Sequence, residues 1–360
     1  MWTWALEYLA CPACFEPLSV LRLSGDQRDG LVGHQGGNCR EAYPVIGGVP
    51  RLLLGPSRQT LYRNKRDWFV ESSFADALGQ WAIEDPAIIG KTELVRRFDE
   101  EWRRFAEVGT DEQARLFEQY FDLVPEELLG PGRVAIDAGC GAGRWANEVQ
   151  RRGSRVIAVD LGLSIELAER NTRQSGRVTC VQADVRHLPI RDSAVDLTYS
   201  LGVLHHIADT QAAVLELARV TQSRGTCLVY LYYALEDRPP VYRALFSLVN
   251  VVRSRTAALP QPALVMFSTL IAGFVYWPLA RLAILLERAG LKSISRALPL
   301  SFYGDLSFTT MRNDSLDRFG TRLEKRFTRA EIELLLERAG FTNVRASEGP
   351  PKWRLAANKP

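Results

Sequence analysis

Three glycines that follow an aspartate are the residues whose spacing most directly suggests chemistry. Residues 134–144 read VAIDAGCGAGR, so an apolar run leads into the pattern DxGxGxG and then into a helical pattern. Glycines in such a turn let the backbone bend tightly and let a ligand approach its amide groups. Residues 141–146, GAGRWA, also fit the GxGxxA pattern of a dinucleotide-binding loop, so the glycines alone leave the ligand open.

Three aspartates that end successive apolar runs narrow the choice. Asp160 ends such a run 17 residues after Gly143, where a carboxylate can accept both hydroxyls of a ribose, in NAD and in S-adenosylmethionine (SAM) alike. Asp184, after the third run, can accept from an adenine amino group, and Asp137 can reach an amino-acid ammonium directly or through water. Together the three carboxylates favour a ligand that has an ammonium, a ribose and an adenine but no pyrophosphate.

The elements that must position these residues follow from the alternation of β-rich and helical runs after residue 132. The predicted strands are 134–136, 155–159, 178–182, 195–200 and 226–231, and the helices between them are 144–152, 165–174 and 210–220. This succession predicts an α/β fold, a doubly wound, Rossmann-like parallel sheet covered on both faces. A capping box from Thr328 to Glu331 predicts a last helix, and strands near 343–346 and 353–356 would complete the sheet.

The motifs together resemble the class I SAM-dependent methyltransferases, specifically the bacterial group with the LHH motif. The resemblance covers about 97–236 and 305–347, and it includes IDAGCGAGR, VIAVDLG, VQADVRHLPI, DLTYSLGVLHHIAD and an entry helix like RFDEEW at 97–102. It implies SAM as cofactor. The implied cofactor-binding residues are Asp137, Gly139, Cys140, Gly141 and Gly143 around the methionine end, Asp160 and Leu161 at the ribose, Asp184 and Val185 at the adenine, and Ser200 and Leu201 beside the sulfonium.

The adjacent pair His205 and His206 is the candidate catalytic base. Both follow the fourth strand, near the expected position of the methyl group, and an imidazole titrates in a range that suits proton transfer. Packing against the core or a lid is the alternative role for the pair. Tyr232 and Tyr233, at the end of the fifth strand, are predicted either to line the acceptor pocket or to be core aromatics.

The N-terminal residues 1–55 resemble the zinc ribbon that precedes some bacterial methyltransferases. The candidate ligands are Cys11, Cys14, His34 and Cys39. The resemblance expects a third ligand near residue 36, where Gly36 stands, and His34 is the nearest substitute. A Cys3His set would satisfy tetrahedral Zn²⁺, and a ribbon that keeps its fold without metal is the alternative. The segment is expected to fold as a small independent module that a metal would help to stabilise.

The domain organisation has five predicted parts. They are the ribbon-like module at 1–55, a helical entry region at 56–130, the SAM-binding core at 131–231, a helical lid insertion that binds the acceptor at 232–327, and a closing helix and strands at 328–360. The insertion holds an uncharged stretch from 256 to 280. A buried or lid-forming helical hairpin is the first prediction for it, and a membrane-surface helix and a membrane span are the alternatives.

The predicted function is methyl transfer from SAM to a small-molecule or lipid-like acceptor. The alternatives are an rRNA or tRNA methyltransferase that uses the ribbon to bind RNA, and a SAM-binding accessory protein without catalysis. The 45 Lys and Arg against 42 Asp and Glu give a net charge of +3, which argues against a nucleic-acid partner. The six cysteines are not spaced as a disulfide scaffold and no signal peptide is predicted, so a cytoplasmic location is expected, with membrane contact through 256–280 as the variant.

Overall fold

Two sheets and a helical insertion make up the computed structural model, which describes residues 2–34, 39–81, 110–236, 239–320, 323–348 and 353–360. The predicted entry helix at 97–102 and Gly36 lie outside the described residues. The first sheet is antiparallel and joins β1 (Ser19–Leu23), β2 (Gly30–Gly33), β3 (Ala42–Ile46) and β4 (Val49–Pro50) in that order. Two helices follow it, α1 (Gly55–Asn64) and α2 (Arg66–Glu71).

The N-terminal sheet, which the sequence predicts as a small independent module, packs directly on the larger sheet. Arg51, just after β4, forms a parallel bridge with Gln182, and the Leu52 amide donates to the Gln182 carbonyl oxygen at 2.9 Å. The Arg51 side chain is only 1% exposed and donates to the Gln182 amide oxygen and to Glu166. Apolar side chains of both parts therefore share one hydrophobic core, which gives residues 1–55 the burial that such a short segment lacks alone.

The second sheet has seven strands in the order β7-β6-β5-β8-β9-β11-β10. Their bounds are β5 (Val134–Ala138), β6 (Arg155–Asp160), β7 (Val178–Gln182), β8 (Val195–Leu201), β9 (Thr221–Tyr230), β10 (Thr342–Ala346) and β11 (Arg354–Asn358). The prediction of parallel pairing is right for β5 to β9 but wrong for β11, which pairs antiparallel with both β9 and β10. The sheet is therefore mixed.

Helices cover both faces of this sheet, as the α/β prediction requires. They are α3 (Thr110–Tyr120), α4 (Arg144–Arg151), α5 (Ile165–Thr172), α6 (Thr210–Val220) and α11 (Arg329–Arg338), and α11 begins with the predicted capping box at Thr328. Neighbouring residues of one strand face opposite cores: Ala135 packs with α3, α4 and α5, and Ile136 packs with α6 and α11. This is the period of two expected for a strand buried on both faces.

The insertion between β9 and α11 consists of helices that pack mainly on one another. They are α7 (Pro240–Thr256), α8 (Gln261–Arg288), α9 (Lys292–Ala297) and α10 (Phe308–Gly320). The hairpin predicted for the apolar stretch is wrong, because α8 is one continuous helix. Pro260 and Pro262 lie at the start of α8, where proline is tolerated. Pro278 lies two residues after a π-helical turn at Ala272–Tyr276. This wider turn relieves the clash between the proline ring and the preceding turn of the helix.

Candidate cofactor and acceptor site

The glycine loop lies at the carboxyl edge of the seven-stranded sheet, between β5 and α4. Gly139 has a φ of 87°, and a Cβ placed on it would lie 2.5 Å from the Val203 side chain, so no larger residue fits there. The amides of Gly139 and Cys140 both donate to the Val159 carbonyl oxygen of β6, at 2.8 and 3.0 Å. The loop is therefore held between two neighbouring strands with its remaining backbone at the sheet edge.

Asp160 connects the ends of β5 and β6. Its carboxylate accepts from the Gly141 amide at 2.9 Å and from the Gly162 amide at 2.8 Å. Burial raises the pKa of Asp160, and these amides oppose the rise. Each carboxylate oxygen has a second lone pair, so the same carboxylate can hold the loop and still accept a ligand hydroxyl. Leu161 follows at the same edge, where its carbonyl oxygen accepts from the Gln182 amide nitrogen at 2.8 Å.

Asp137 is the most deeply buried of the three predicted acids. It is 1% exposed, and its carboxylate accepts from the Ala146 amide at 3.1 Å. Burial and, to a smaller extent, the neighbouring Asp160 charge together raise the pKa of Asp137 to about 8, against the opposing hydrogen bond from the Ala146 amide. Among the residues that the structure describes, no Lys or Arg side chain pairs with it. A buried carboxyl without a cation favours a positively charged ligand group beside it.

Asp184 lies one strand further along the edge and already has a cationic partner. The Arg186 guanidinium donates to both of its carboxylate oxygens, at 3.0 Å to Oδ1 and 2.5 Å to Oδ2. The neighbouring Val185 is 7% exposed. Asp160 thus contacts the glycine loop directly, and Asp137 contacts the helix that follows this loop. Asp184 lies at the end of the next strand and is paired with Arg186, a partner that the sequence reasoning did not assign.

Ser200 and Leu201 end β8, the strand beside β5. The Ser200 hydroxyl donates to the Ala138 carbonyl oxygen at 2.7 Å, and its side chain is fully buried. Cys140, above Ala138 in the glycine loop, is also buried, and burial raises its thiol pKa well above the usual value. These residues are closely packed next to the glycine loop.

The predicted histidine pair lies in a short helical turn after β8. His205 is fully buried, its ring stacks on Tyr232 with 3.7 Å between ring centroids, and burial together with the adjacent His206 lowers its pKa well below the usual value. The ring of His206 is within hydrogen-bond distance of the Leu323 carbonyl oxygen at 2.8 Å, and its Nε2 lies 3.7 Å from Asp317 of α10. The pair therefore connects the end of the sheet to the insertion.

A group of polar side chains from the end of β9 and from the insertion lies at the same sheet edge, and sequence reasoning missed most of it. We call it the acceptor-side cluster; its members are Tyr230, Tyr232, Tyr276, Tyr303, Asp314, Asp317 and Arg318. Tyr303 donates to Asp314 at 2.8 Å, Tyr232 donates to Asp317, and burial raises the pKa of Asp314 to about 6. The spacing of Asp314 and Asp317 by three residues on one helix was the available signal.

The four predicted metal ligands are brought together at the start of the N-terminal sheet. The ligand atoms of Cys11, Cys14, His34 and Cys39 all lie within 4.8 Å of one another. Burial and the neighbouring Cys39 and Cys11 thiols raise the pKa of Cys14 to about 12, whereas hydrogen bonds with Tyr43 and His34 outweigh burial and lower the pKa of Cys11 to about 7. Thiolate ligands of tetrahedral zinc lie about 3.8 Å apart, so the cluster fits such an ion with small adjustments.

The chain was compared with known proteins, and residues 136–229 match a family described as a methyltransferase domain. The chain is 34% identical over 93 residues to malonyl-[acyl-carrier protein] O-methyltransferase of Hamiltonella defensa, covering 26% of this chain and 35% of that protein. It is 36% identical over 112 residues to demethylmenaquinone methyltransferase of Thermobifida fusca, covering 30% and 47%. The chain thus spans less than half the length of these two curated relatives.

Among solved structures, the chain is similar to magnesium protoporphyrin IX methyltransferase from Synechocystis with bound S-adenosylhomocysteine (SAH). The likeness has 16% sequence identity and a TM-score of 0.43, over 77% of this chain and all of that one. The family match covers β5 to β9, the strands that carry the glycine loop, the three aspartates and the Ser200 floor. Residues 136–229 of this chain therefore match a methyltransferase domain.

Proposed function

We propose that this chain transfers a methyl group from SAM to a small-molecule or lipid-like acceptor held between the sheet edge and the helical insertion, which acts as a lid. The observation that carries the proposal is Asp137, a buried carboxyl without a cationic partner among the described residues, beside a glycine loop braced by Asp160. The α-ammonium of SAM supplies the missing charge, the ribose hydroxyls reach Asp160, and the adenine lies toward Asp184 and Val185.

The chemistry requires alignment and, for an oxygen or nitrogen nucleophile, a proton acceptor. SAM supplies an electrophilic methyl group on a sulfonium, and in-line displacement by the acceptor can gain several kcal/mol from positioning. In this proposal the Ser200 and Leu201 floor positions the sulfonium. His206, 3.7 Å from Asp317, takes the acceptor's proton, and Asp317 stabilises the resulting imidazolium. His205 is buried against Tyr232 and positions the Tyr232 side chain.

Two further observations support an acceptor of this class. The relatives named above act, by their names, on malonyl-[acyl-carrier protein] and on demethylmenaquinone, and neither name refers to a nucleic acid. The acceptor-side cluster combines tyrosine rings with two carboxyls, which suits a partly apolar molecule with polar groups. A phosphate backbone would instead call for a basic stripe.

The N-terminal cluster is proposed to hold one structural Zn²⁺ through Cys11, Cys14, His34 and Cys39. A Cys3His donor set is typical of closed, four-coordinate zinc sites, and such a site contributes to folding and leaves no position for catalysis. Its expected role is to fix the end of β2 and the start of β3, next to the surface that packs on β7.

The direct test is to incubate the purified chain with isotopically labelled SAM and cell extract, and to separate lipid, small polar and RNA fractions. Label in the lipid or small polar fraction is expected. Label in RNA would support the RNA methyltransferase alternative, and SAH binding without label in any fraction would support the accessory protein. Asp160→Ala should abolish labelling, and Asp192→Asn, a substitution of an exposed aspartate, is the matched control.

A further inference from the structure

Helix α8 has one face buried in the insertion and an opposite face that is apolar and exposed. The buried face has a four-residue spacing, Leu264, Ser268, Ala272, Tyr276 and Ala280. The opposite face includes Met266, Leu270, Phe274, Trp277 and Leu285, with 63, 50, 79, 46 and 61% exposure. An exposed apolar stripe of this length on a helix whose other side is already packed is the sign of a missing partner.

Other helices of the insertion also expose apolar side chains. Leu248, Val251 and Val252 of α7 are exposed, as are Leu291 and Ile294 at α9. Of the 18 large hydrophobic side chains exposed in the described part of the chain, 12 lie between residues 248 and 294. Scattered exposed hydrophobics are normal on a soluble protein, whereas these 12 are concentrated in the insertion. We call the exposed sides of the helices that carry them the α7–α8 face.

The charges near the α7–α8 face are almost all positive. Between residues 240 and 300 there are seven basic residues and one acidic residue, Glu287, so the segment has a net charge of 7 − 1 = +6. The whole chain has a net charge of +3, so the rest of the chain has a net charge of 3 − 6 = −3. The positive charge of this protein is thus concentrated in the segment that carries most of its exposed apolar residues.

We propose that the α7–α8 face docks on a bilayer surface that contains anionic phospholipid, with α8 lying in the plane of the interface. Apolar side chains such as Phe274 and Trp277 enter the boundary between headgroups and acyl chains, and the surrounding Arg and Lys side chains contact lipid phosphates. The inference goes beyond the proposed function, because it depends only on the surface of the insertion and not on SAM.

Two other partners for this face fit the observations less well. A bilayer-spanning α8 would have to leave the insertion, because Leu264, Ala272 and Tyr276 pack on α10 and on Tyr303. A twofold dimer through the same face would bring the two sets of basic residues against each other without acidic partners, since a symmetric interface pairs identical patches. An anionic surface satisfies both the apolar residues and the charge.

The test is co-sedimentation of the full chain with vesicles of phosphatidylcholine alone and with vesicles that also contain phosphatidylglycerol. We expect about tenfold tighter binding to the anionic vesicles, with most protein released by high salt. Leu270→Ser with Phe274→Ser should reduce binding by about tenfold, because it removes the two apolar side chains at the centre of the stripe. Leu215→Ser, at an exposed leucine of α6 outside this face, is the matched control and should bind like the wild type.

The proposal would be overturned by equal binding of the Leu270/Phe274 and Leu215 variants, or by binding of the wild type to neither kind of vesicle. A dimer in light scattering that the Leu270/Phe274 variant abolishes would also overturn it. Protein that resists both salt and alkaline extraction would indicate a span and also overturn it. SAH affinity, measured for each variant, shows that the cofactor domain is folded, so failure of docking is distinguishable from failure of the proposed methyl transfer.

Discussion

The buried carboxyl of Asp137 predicts that cofactor binding releases a proton. Burial raises the pKa of Asp137 to about 8 in the absence of ligand, so about nine-tenths of the molecules have it protonated at pH 7. An ammonium beside it favours the carboxylate and lowers its pKa. Binding of SAH at pH 7 should therefore release about 0.9 proton from Asp137, and the pH-dependent part of the affinity should rise about ninefold from pH 6 to pH 7.

Calorimetry of SAH binding in two buffers with different heats of ionisation measures this proton release. The Asp137→Asn variant is the control, because an amide oxygen can still accept from the Ala146 amide but the side chain does not titrate. The amino group of the ligand also titrates, and the variant shows that contribution alone. The wild type should release about 0.9 more proton than the variant on SAH binding at pH 7, and about 0.1 more at pH 9.

The same pKa predicts the stability of the unliganded protein. The folded-state pKa of Asp137 lies above its unfolded value, so the folded state binds more protons between these two values and its stability falls as the pH rises. The decrease approaches about 1.4 kcal/mol per pH unit and ends near pH 8. Asp137→Asn should lack this contribution.

A buffer-independent heat of SAH binding in the wild type, or the same proton release in the wild type and in Asp137→Asn, would refute the reasoning about Asp137.

Three other substitutions test separate parts of the structure. Gly139→Ala places a Cβ 2.5 Å from Val203 at a φ of 87°, so it should cost about 1–3 kcal/mol in strain and weaken SAH binding; an unchanged melting temperature and SAH affinity would contradict this. Arg51→Ala removes the buried hydrogen bonds to Gln182 and Glu166, while Glu166 keeps Lys65 as a cationic partner, and it should lower the free energy of unfolding by about 2 kcal/mol, measured by urea titration. His34→Ala should remove zinc, measured by elemental analysis against a wild type expected to hold one ion per chain; zinc-free wild type would exclude the site.

The parts of the fold that sequence predicts are those with local patterns. The glycine loop, the period of two in β5 and the capping box at Thr328 each lie within about a dozen residues, so side-chain periodicity and turn chemistry identify them. The docking of the N-terminal sheet depends on Arg51 and Gln182, which are 131 residues apart, and no local pattern records such a pairing. For the same reason the antiparallel direction of β11 follows only from its pairing with β9.

In the candidate site, too, local sequence patterns predict some residues, whereas contacts between distant parts of the chain are not predicted. Asp137 and Asp160 were predicted because each ends an apolar run. In the structure Asp160 accepts from Gly141 of the glycine loop and Asp137 accepts from Ala146 in α4, the helix that follows this loop. The Arg186 partner of Asp184 lies only two residues away, so its position was visible, but its side-chain direction was not. Tyr303 and Asp314 belong to the insertion, and their approach to the sheet edge depends on how α10 packs, which the sequence does not specify.

Helix α8 connects the two proposals, because its two faces contact different surroundings within one turn. Phe274 and Trp277 lie on the exposed face, whereas Tyr276 lies between them on the buried face, with its ring 5.2 Å from that of Tyr303 in the acceptor-side cluster. Phe274 and Tyr276 both belong to the π-helical turn at Ala272–Tyr276, and Trp277 follows it. A bilayer that binds Phe274 would therefore act on a turn that also borders the acceptor-side cluster. An acceptor dissolved in the bilayer would then reach the cluster from the docked side, so loss of docking should reduce methylation of a vesicle-borne acceptor while SAH affinity stays unchanged.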